Sequence, residues 1–285
     1  MVIVVAGVMP LLNLFSGAAL ALVTLRQGAR EGLITLLLST AIAGILLGLM
    51  AGSVMPAVVL LGLFWLPLWG LAVTLRYTVS LAQALRLSVL LAALAMLIFA
   101  FTLSDATQWG RTLLEQALKP MLIQLGLAER EPQILDQLLD YLSPLVLGLI
   151  VANGLASLLC GLLLGRWWQA LLYNPGGFGR EFHELRLGRQ TAGVTLALCT
   201  LAVIINAPWL NNLLLLLVVL YTVQGLAVSH GVVAKAGMAR LWLIGLYVLL
   251  FLALPQMLMI LCLLGVIDAW GDIRARFNSP KPDKV

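Results

Sequence analysis

The chain has 285 residues, of which 62% are hydrophobic and only 10% are charged. A soluble protein of this length needs far more polar surface, so the composition excludes a soluble globular fold. The net charge of +5 is typical of the basic loops on the cytoplasmic side of a membrane protein. It does not indicate a nucleic-acid partner, because the sequence has no block of Lys and Arg with interleaved aromatic residues.

Apolar runs of about 18 residues or more recur along the chain and predict helices that span a lipid bilayer. Only helices satisfy every backbone hydrogen bond within one continuous apolar run in lipid. The sequence therefore predicts an all-α fold, a polytopic transmembrane helical bundle of about eight membrane segments. The first and last segments contain Pro10 and Pro255, and each is either a single span or a hairpin broken near its proline.

The N-terminal unit, residues 1–103, contains four of these membrane segments. Gly44, Gly48 and Gly52 fall at four-residue spacing on one stripe of the second segment, which allows a neighbouring helix to approach closely. The four segments are Val2–Leu25, Gly32–Leu49, Ala57–Leu75 and Leu87–Leu103.

Residues 104–143 differ in kind, because they combine acidic residues with apolar residues at three- and four-residue steps. Pro132 suits the first turn of a helix, and the acid that precedes it, Glu131, suits a helix N-terminus. This segment therefore predicts two amphipathic helices that lie on or near the membrane surface.

The C-terminal unit, residues 144–270, contains the remaining membrane segments and one long polar loop, residues 166–190. A short charged tail, residues 271–285, is expected to be flexible. The membrane segments of this unit are Leu145–Leu164, Ala192–Ala207, Leu210–Ala227 and Leu241–Ile267.

The basic residues fall in alternate loops, and this pattern predicts an orientation. Arg and Lys occupy the loops near residues 26–31, 76–86, 166–190 and 235–240, whereas the other alternate loops are uncharged or acidic. By the positive-inside rule, the four basic loops face the cytoplasm and the amphipathic pair lies outside. We expect a multi-pass membrane protein. Its first segment lacks the basic start of a cleaved signal peptide.

The polar residues inside the apolar segments are amides and one imidazole, with no buried carboxylate of the kind that proton pumps use. One interpretation is hydrogen bonding between helices. The other is a polar cavity for a small uncharged or weakly charged ligand, and Asn153 and Asn206 are its expected lining. The candidate ligand-binding residues are Asn13, Asn153, Asn206, Gln224, His230 and Gln256.

No residue pattern indicates catalysis, a metal or a cofactor, so we do not expect an enzyme. His183 lacks the partner histidine that a metalloprotease helix requires. The three cysteines, Cys160, Cys199 and Cys262, lie far apart inside apolar runs and are typical of small core residues rather than of a disulfide or metal set.

The loop at residues 166–190 combines aromatic residues, a glycine-rich turn and charged pairs. The turn lacks the Gly-Lys-Ser/Thr ending of a phosphate loop, and its aromatic residues are also typical of an interfacial belt. The functional alternative is a surface on which a membrane or cytoplasmic protein docks. The candidate docking residues are Arg166, Trp167, Tyr173, Asn174, Pro175, Gly176, Gly177 and Phe178.

Three stretches, Leu22–Gly32, Arg166–Arg186 and Leu264–Trp270, together resemble the YybS-like family of bacterial inner-membrane proteins. That family is distantly similar to the substrate-binding S components of energy-coupling-factor vitamin transporters. The resemblance covers nearly the whole chain and implies a multi-pass protein of the bacterial inner membrane. It also implies a compact helical bundle with a ligand cavity near the outer face. It assigns no binding residue.

Two functions are open at this stage. The first is a small-molecule binding or transport component that resembles an S component. The alternative is a membrane scaffold or assembly protein that docks cytoplasmic partners through residues 166–190.

Overall fold

The computed structural model describes residues 2–124 and 132–277. All regular secondary structure in these two ranges is helical, so the prediction of an all-α bundle is confirmed. Glu131 and most of the charged tail, residues 278–285, lie outside the described residues.

The first half of the chain forms six α-helices, and a π-helical turn at Leu61–Trp65 joins the third to the fourth. The helices are α1 Val2–Gln27, α2 Ala29–Ala51, α3 Met55–Leu60, α4 Leu66–Thr78, α5 Leu81–Thr102 and α6 Ala106–Gln124.

In the second half, 3-10 turns at Ser143–Leu145 and Ile273–Phe277 flank the longer helices. The α-helices are α7 Pro132–Leu142, α8 Val146–Tyr173, α9 Gly177–His183, α10 Gly188–Ile205, α11 Pro208–Lys235, α12 Leu241–Leu252 and α13 Leu254–Gly271.

Seven helical segments of the described chain are long and apolar enough to cross a membrane, and α3 and α4 count together as one of them. The chain is therefore an integral membrane protein with several spans. In addition, α1 is one continuous helix of 26 residues with Pro10 inside it. The first segment is thus a single helix rather than a hairpin, since one missing N–H bond is tolerated within a membrane helix.

The last apolar run is a hairpin, broken at Ala253 between α12 and α13. Thr222 of α11 donates a hydrogen bond to the Leu258 carbonyl of α13 at 3.3 Å, and further along, Gly231 lies beside Arg274. Residue numbers rise together in these pairs, so α11 and α13 run parallel. The 12 residues of α12 span about 18 Å, less than the ~30 Å hydrocarbon core. The α12–α13 hairpin therefore enters and leaves at the same end of the bundle.

The hydrophobic core lies between α1, α4, α5, α8 and α11. Close helix contact is achieved by glycines on α8, because a Cβ at Gly165 would lie 2.7 Å from the Ala18 carbonyl oxygen of α1. The predicted stripe on α2 is looser. Gly48 faces Val54, whereas Gly52 has a φ of +69° and caps the helix with open space around it. Gly52 is therefore a turn residue and not a packing residue.

Charge divides the bundle into two ends. The acidic end carries α6 and α7. Arg111 of α6 forms ion pairs with Asp136 and Asp140 of α7. Both members of the predicted amphipathic pair are thus helices. The basic end carries the C-termini of α1, α4, α8, α11 and α13. Its arginines and lysine are Arg26, Arg30, Arg76, Arg86, Arg166, Arg180, Arg186, Arg189, Lys235, Arg240, Arg274 and Arg276.

Candidate functional site

A tight turn at the basic end folds α9 back against α8 and α11. The turn begins after Tyr173, and Gly176 adopts a φ of +80°, in the left-handed region that favours glycine. A Cβ at Gly177 would lie 2.8 Å from the Asn174 side-chain carbon, so the second glycine allows the Asn174 side chain to close the turn. The prediction of a long polar loop at residues 166–190 is therefore wrong. Most of these residues are helical, because α8 extends beyond its apolar run to Tyr173.

The fold-back of α9 forms one wall of a half-open cavity of about 510 Å³ between α8, α9, α11 and α12. We call it the basic-end cavity. Its lining is mainly apolar and unusually rich in rings, which come from four different helices. The ring-bearing lining residues are Trp167, Phe178, Phe182, His183, His230 and Tyr247.

The rings form a connected chain. The Phe178 and Phe182 rings stack with centroids 5.6 Å apart, and Phe182 meets the edge of His230 at 5.7 Å. The His230 Nε2 atom is 2.9 Å from the Tyr247 hydroxyl oxygen, and the His183 ring lies 6.1 Å from the His230 ring. One hydrogen-bonding edge, His230–Tyr247, therefore sits among aromatic faces that offer stacking contacts.

An ion pair joins α8 to α9, the two helices that form one wall of the cavity. The Arg166 Nη2 atom of α8 lies 2.7 Å from Glu181 Oε2 of α9, and both side chains are largely buried. Burial raises the pKa of Glu181, and the Arg166 charge opposes that rise. Burial also lowers the pKa of His183, and the nearby Arg274 charge lowers it further. Both effects favour the neutral imidazole, and the nearby Glu184 carboxylate opposes them.

Beneath the cavity, the end of α13 is tied to the segment between α9 and α10. Arg274 donates hydrogen bonds to the His183 carbonyl at 2.6 Å and to the Leu185 carbonyl at 2.9 Å. Its Nη2 atom is also 2.6 Å from Asp268 Oδ2. Gln224 completes the network, because its amide nitrogen donates to the Gly265 carbonyl and its oxygen accepts from the Leu187 N–H. We call these residues the α13 clasp.

Sequence reasoning missed Asp268 and Arg274. Asp268 lies at the end of an apolar helix, and Arg274 follows six residues later in a stretch that was expected to be flexible tail. The short distance in sequence between Asp268 and Arg274 could have indicated the pair. A buried carboxylate needs a partner of opposite charge, and Arg274 is a nearby candidate.

The structure separates the six predicted ligand-binding residues. His230 lines the basic-end cavity, and Gln224 is fully buried in the α13 clasp with hydrogen-bond partners. The other four lie elsewhere. Asn13 is half-buried in α1, Asn153 is exposed on α8, Asn206 caps α10 at the acidic end with a φ of +52°, and Gln256 is exposed near the start of α13.

Asn153 and Asn206 therefore do not line one enclosed site. The Asn153 side chain lies on an exposed face of α8, whereas Asn206 ends α10 in a left-handed backbone conformation. The cavity with convergent polar groups is at the basic end instead, opposite to the outer-face position that the family resemblance implies.

The predicted docking residues are divided between the cavity and the exposed turn, and Gly176 belongs to both. Phe178 and Gly176 line the cavity, Arg166 pairs with Glu181 beside it, and Gly177 is buried at the start of α9. Trp167 is exposed on one flank and also lines the cavity. Tyr173, Asn174, Pro175 and Gly176 form an exposed turn, where the Arg26 guanidinium lies 4.3 Å from the centre of the Tyr173 ring.

Within the two described ranges, no group of three or more His, Cys, Asp or Glu side chains is placed to hold a metal ion. The thiols of Cys160, Cys199 and Cys262 are free. The rings of the basic-end cavity offer stacking and hydrogen bonding.

No protein-family model matches the chain, and no curated protein and no solved structure shows significant similarity to it.

Proposed function

We propose that this integral membrane protein binds a small planar molecule in the basic-end cavity, as a binding or transport component of the inner membrane. The observation that carries the proposal is the convergence of six ring side chains on a cavity of about 510 Å³ with one polar edge at His230 and Tyr247. A concave, mostly apolar pocket with a few convergent polar groups is the usual form of a small-molecule site.

The lining favours an uncharged or weakly charged aromatic ligand. Stacked rings such as Phe178 and Phe182 favour a flat π-system, because aromatic faces and edges attract each other electrostatically. The imidazole and hydroxyl of His230 and Tyr247 offer one donor and one acceptor at a fixed spacing of 2.9 Å. Heterocycles such as nucleobases and aromatic vitamins meet both requirements.

The position of the cavity supports exchange of the ligand with the cytoplasm. The basic end is the cytoplasmic end under the positive-inside rule, and the cavity lies at that end. The YybS-like resemblance supports the same class of function, a substrate-binding membrane component. The bacterial inner membrane is the membrane in which such a component would act.

The α12–α13 hairpin is the part of the wall best suited to move. Tyr247 comes from α12, a helix with no buried side chain among its 12 residues. Elements with few buried contacts open at low free-energy cost. Discontinuous helices of this kind often border the substrate sites of membrane transporters.

Thermal unfolding of the full-length protein in detergent tests the proposal. A panel of nucleobases, flavins and other aromatic vitamins is added at millimolar concentration, since a ligand that binds only the folded state must raise the melting temperature. We expect at least one compound to stabilise the wild type. Its effect should be lost in Tyr247→Phe, which removes one hydroxyl, and kept in Tyr77→Phe, a matched exposed tyrosine on α4. No stabilisation by any compound of the panel contradicts the proposal.

A second candidate function is docking of a protein partner at the same end. It is favoured by the exposed turn Tyr173–Gly176, which projects beside Arg26. Replacing Asn174 and Pro175 by Gly and Ser keeps both glycines of the turn and removes the exposed surface. If docking occurs there, affinity purification of this variant loses specific proteins that the wild type retains, whereas an unchanged partner list removes the docking hypothesis.

A further inference from the structure

A second groove lies on the membrane-facing side of the bundle, between α5, α10 and α11, and encloses about 440 Å³. Its polar lining is confined to one end, where Arg86, Gln190 and Thr191 lie. The rest of the groove is apolar and includes Leu90, Ala93, Val194, Leu198, Leu213 and Leu217. We call it the α5–α10 groove.

The groove runs from the basic end towards the middle of the bundle. Both α5 and α10 begin at the basic end, at Leu81 and Gly188. Arg86 and Ala93 are seven residues apart, which is about 10 Å along a helix. The apolar part therefore covers much of one leaflet, whose hydrocarbon layer is about 15 Å thick, half of a ~30 Å core.

The polar end carries a positive charge with no internal counter-charge. Arg86 is exposed and makes no ion pair with any carboxylate in the described part of the chain. No Asp or Glu lines the groove. Arg86 also lies about 7 Å inside the start of α5, five residues from Leu81, at the depth where an arginine side chain reaches the phosphate layer.

We infer that the α5–α10 groove binds an anionic glycerophospholipid, with its phosphate at Arg86 and Gln190 and one acyl chain along the apolar wall. Arginine presents a planar fork of donors that matches phosphate oxygens. Basic pockets between membrane helices at the cytoplasmic face are typical sites for anionic headgroups. A zwitterionic lipid fits less well, because none of the residues that line the groove carries a carboxylate to receive its ammonium group.

Charge also argues against a partner helix as the occupant. An apolar helix laid in the groove would cover Arg86 without supplying a counter-charge, and burying an unpaired charge is unfavourable. The inference does not depend on the basic-end cavity, which lies between α8, α9, α11 and α12. It concerns a different face of the protein and a different ligand.

Native mass spectrometry of the full-length protein tests the inference. The protein in neutral detergent receives equal amounts of phosphatidylglycerol and phosphatidylcholine with identical acyl chains, and retained lipids are counted. We expect about a fivefold preference for phosphatidylglycerol, the ratio that one arginine near an anionic headgroup supports. Arg86→Gln should abolish the preference. Arg240→Gln, which removes an exposed arginine of the same end, should leave it intact.

A second variant tests the apolar part separately. Ala93→Trp fills the groove without changing charge, so retention of both lipids should fall. Equal retention of the two lipids by the wild type overturns the inference, and so does an equal loss in Arg86→Gln and Arg240→Gln. Displacement of the lipid by inorganic phosphate also overturns it, because the site would then recognise the anion alone.

Discussion

Asp268 and Arg274 form an ion pair in which each side chain is only 1% exposed. The carboxylate of Asp268 also accepts the Ile273 N–H at 3.1 Å, while Arg274 donates to the carbonyls of His183 and Leu185. The pair therefore links the end of α13 to the segment after α9, directly below the basic-end cavity. A buried charge pair therefore holds together two segments whose hydrogen-bonded residues are 89 and 91 positions apart in sequence.

Removing one partner of this pair should destabilise the protein strongly. Asp268→Asn leaves the Arg274 guanidinium buried without a counter-charge, and breaking a buried pair in this way typically costs about 3–5 kcal/mol. We expect a large fall in the thermal midpoint measured in detergent. Because the two side chains act as one unit, Asp268→Asn combined with Arg274→Met should cost less than the sum of the two single changes.

The neighbouring pair, Arg186 and Asp272, supplies the matched control. Its atoms approach to 2.7 Å, but the side chains are 50% and 41% exposed. Exposed pairs contribute about 0–1 kcal/mol, so Asp272→Asn should shift the midpoint far less than Asp268→Asn. Equal effects of the two substitutions would show that burial does not distinguish the pairs and would contradict the prediction.

A glycine contact between α11 and α13 should also be sensitive to substitution. A Cβ at Gly225 would lie 2.9 Å from Leu261 Cα and 2.7 Å from its carbonyl carbon. Backbone atoms cannot rotate away, so Gly225→Ala should separate the helices at a cost of about 1–3 kcal/mol. The measurement is the unfolding midpoint. Gly154→Ala on α8 has open space around it and should be neutral or stabilising by up to about 1 kcal/mol.

The stability of the basic end should depend on pH through His183. Burial, reinforced by Arg274, lowers the pKa of His183 in the folded protein, whereas the unfolded value is about 6.5. Between these values the unfolded state binds more protons, so stability falls as the pH drops below about 6.5 towards the lowered pKa. The raised pKa of Glu181 acts in the opposite direction at lower pH.

The difference between the wild type and His183→Gln isolates this effect, because both proteins retain Glu181 and His230. Melting temperatures are measured at pH 7.5 and pH 5.5. We expect the wild type to lose more stability than the variant over this interval, because only the wild type must protonate the His183 imidazole. A parallel decline in the two proteins would assign the pH dependence to other groups.

The periodicity of apolar residues was sufficient to predict the all-α bundle and the amphipathic helices α6 and α7. It placed helix ends poorly, because membrane helices continue into the polar region until the backbone turns. The run Arg166–Tyr173 contains an arginine and a glutamine, yet it is helical and ends only where Asn174 and Gly176 reverse the chain.

The candidate site was predicted only in part. Trp167, Phe178 and His230 appeared among the candidates, but they were assigned to two different functions. Phe182, His183 and Tyr247 were not among the candidates, and they meet these residues only after α9 folds back and α12 doubles back along α11. Such convergence depends on contacts between residues up to 80 positions apart, and local spacing carries no information about it.

The α12–α13 hairpin predicts the sidedness of the chain near its C-terminus. Because α13 runs parallel to α11, Ala275 lies at the same end as Ala239, which precedes α12, and opposite Thr107 at the start of α6. Single cysteines at these three exposed positions are introduced into a variant in which the three native cysteines are replaced by Ala. A membrane-impermeant thiol reagent is then applied to sealed vesicles of known orientation.

Ala275→Cys and Ala239→Cys should react from one side, and Thr107→Cys should react from the other. The first reason is that α13 runs parallel to α11. The second is the length of α12, because its 12 residues reach about 18 Å, too short to carry the chain across a ~30 Å core. Labelling of Ala275→Cys together with Thr107→Cys would mean that Leu241–Gly271 crosses the membrane once. Tyr247 would then leave the basic-end cavity, and the proposed ligand site would lose one half of its polar edge.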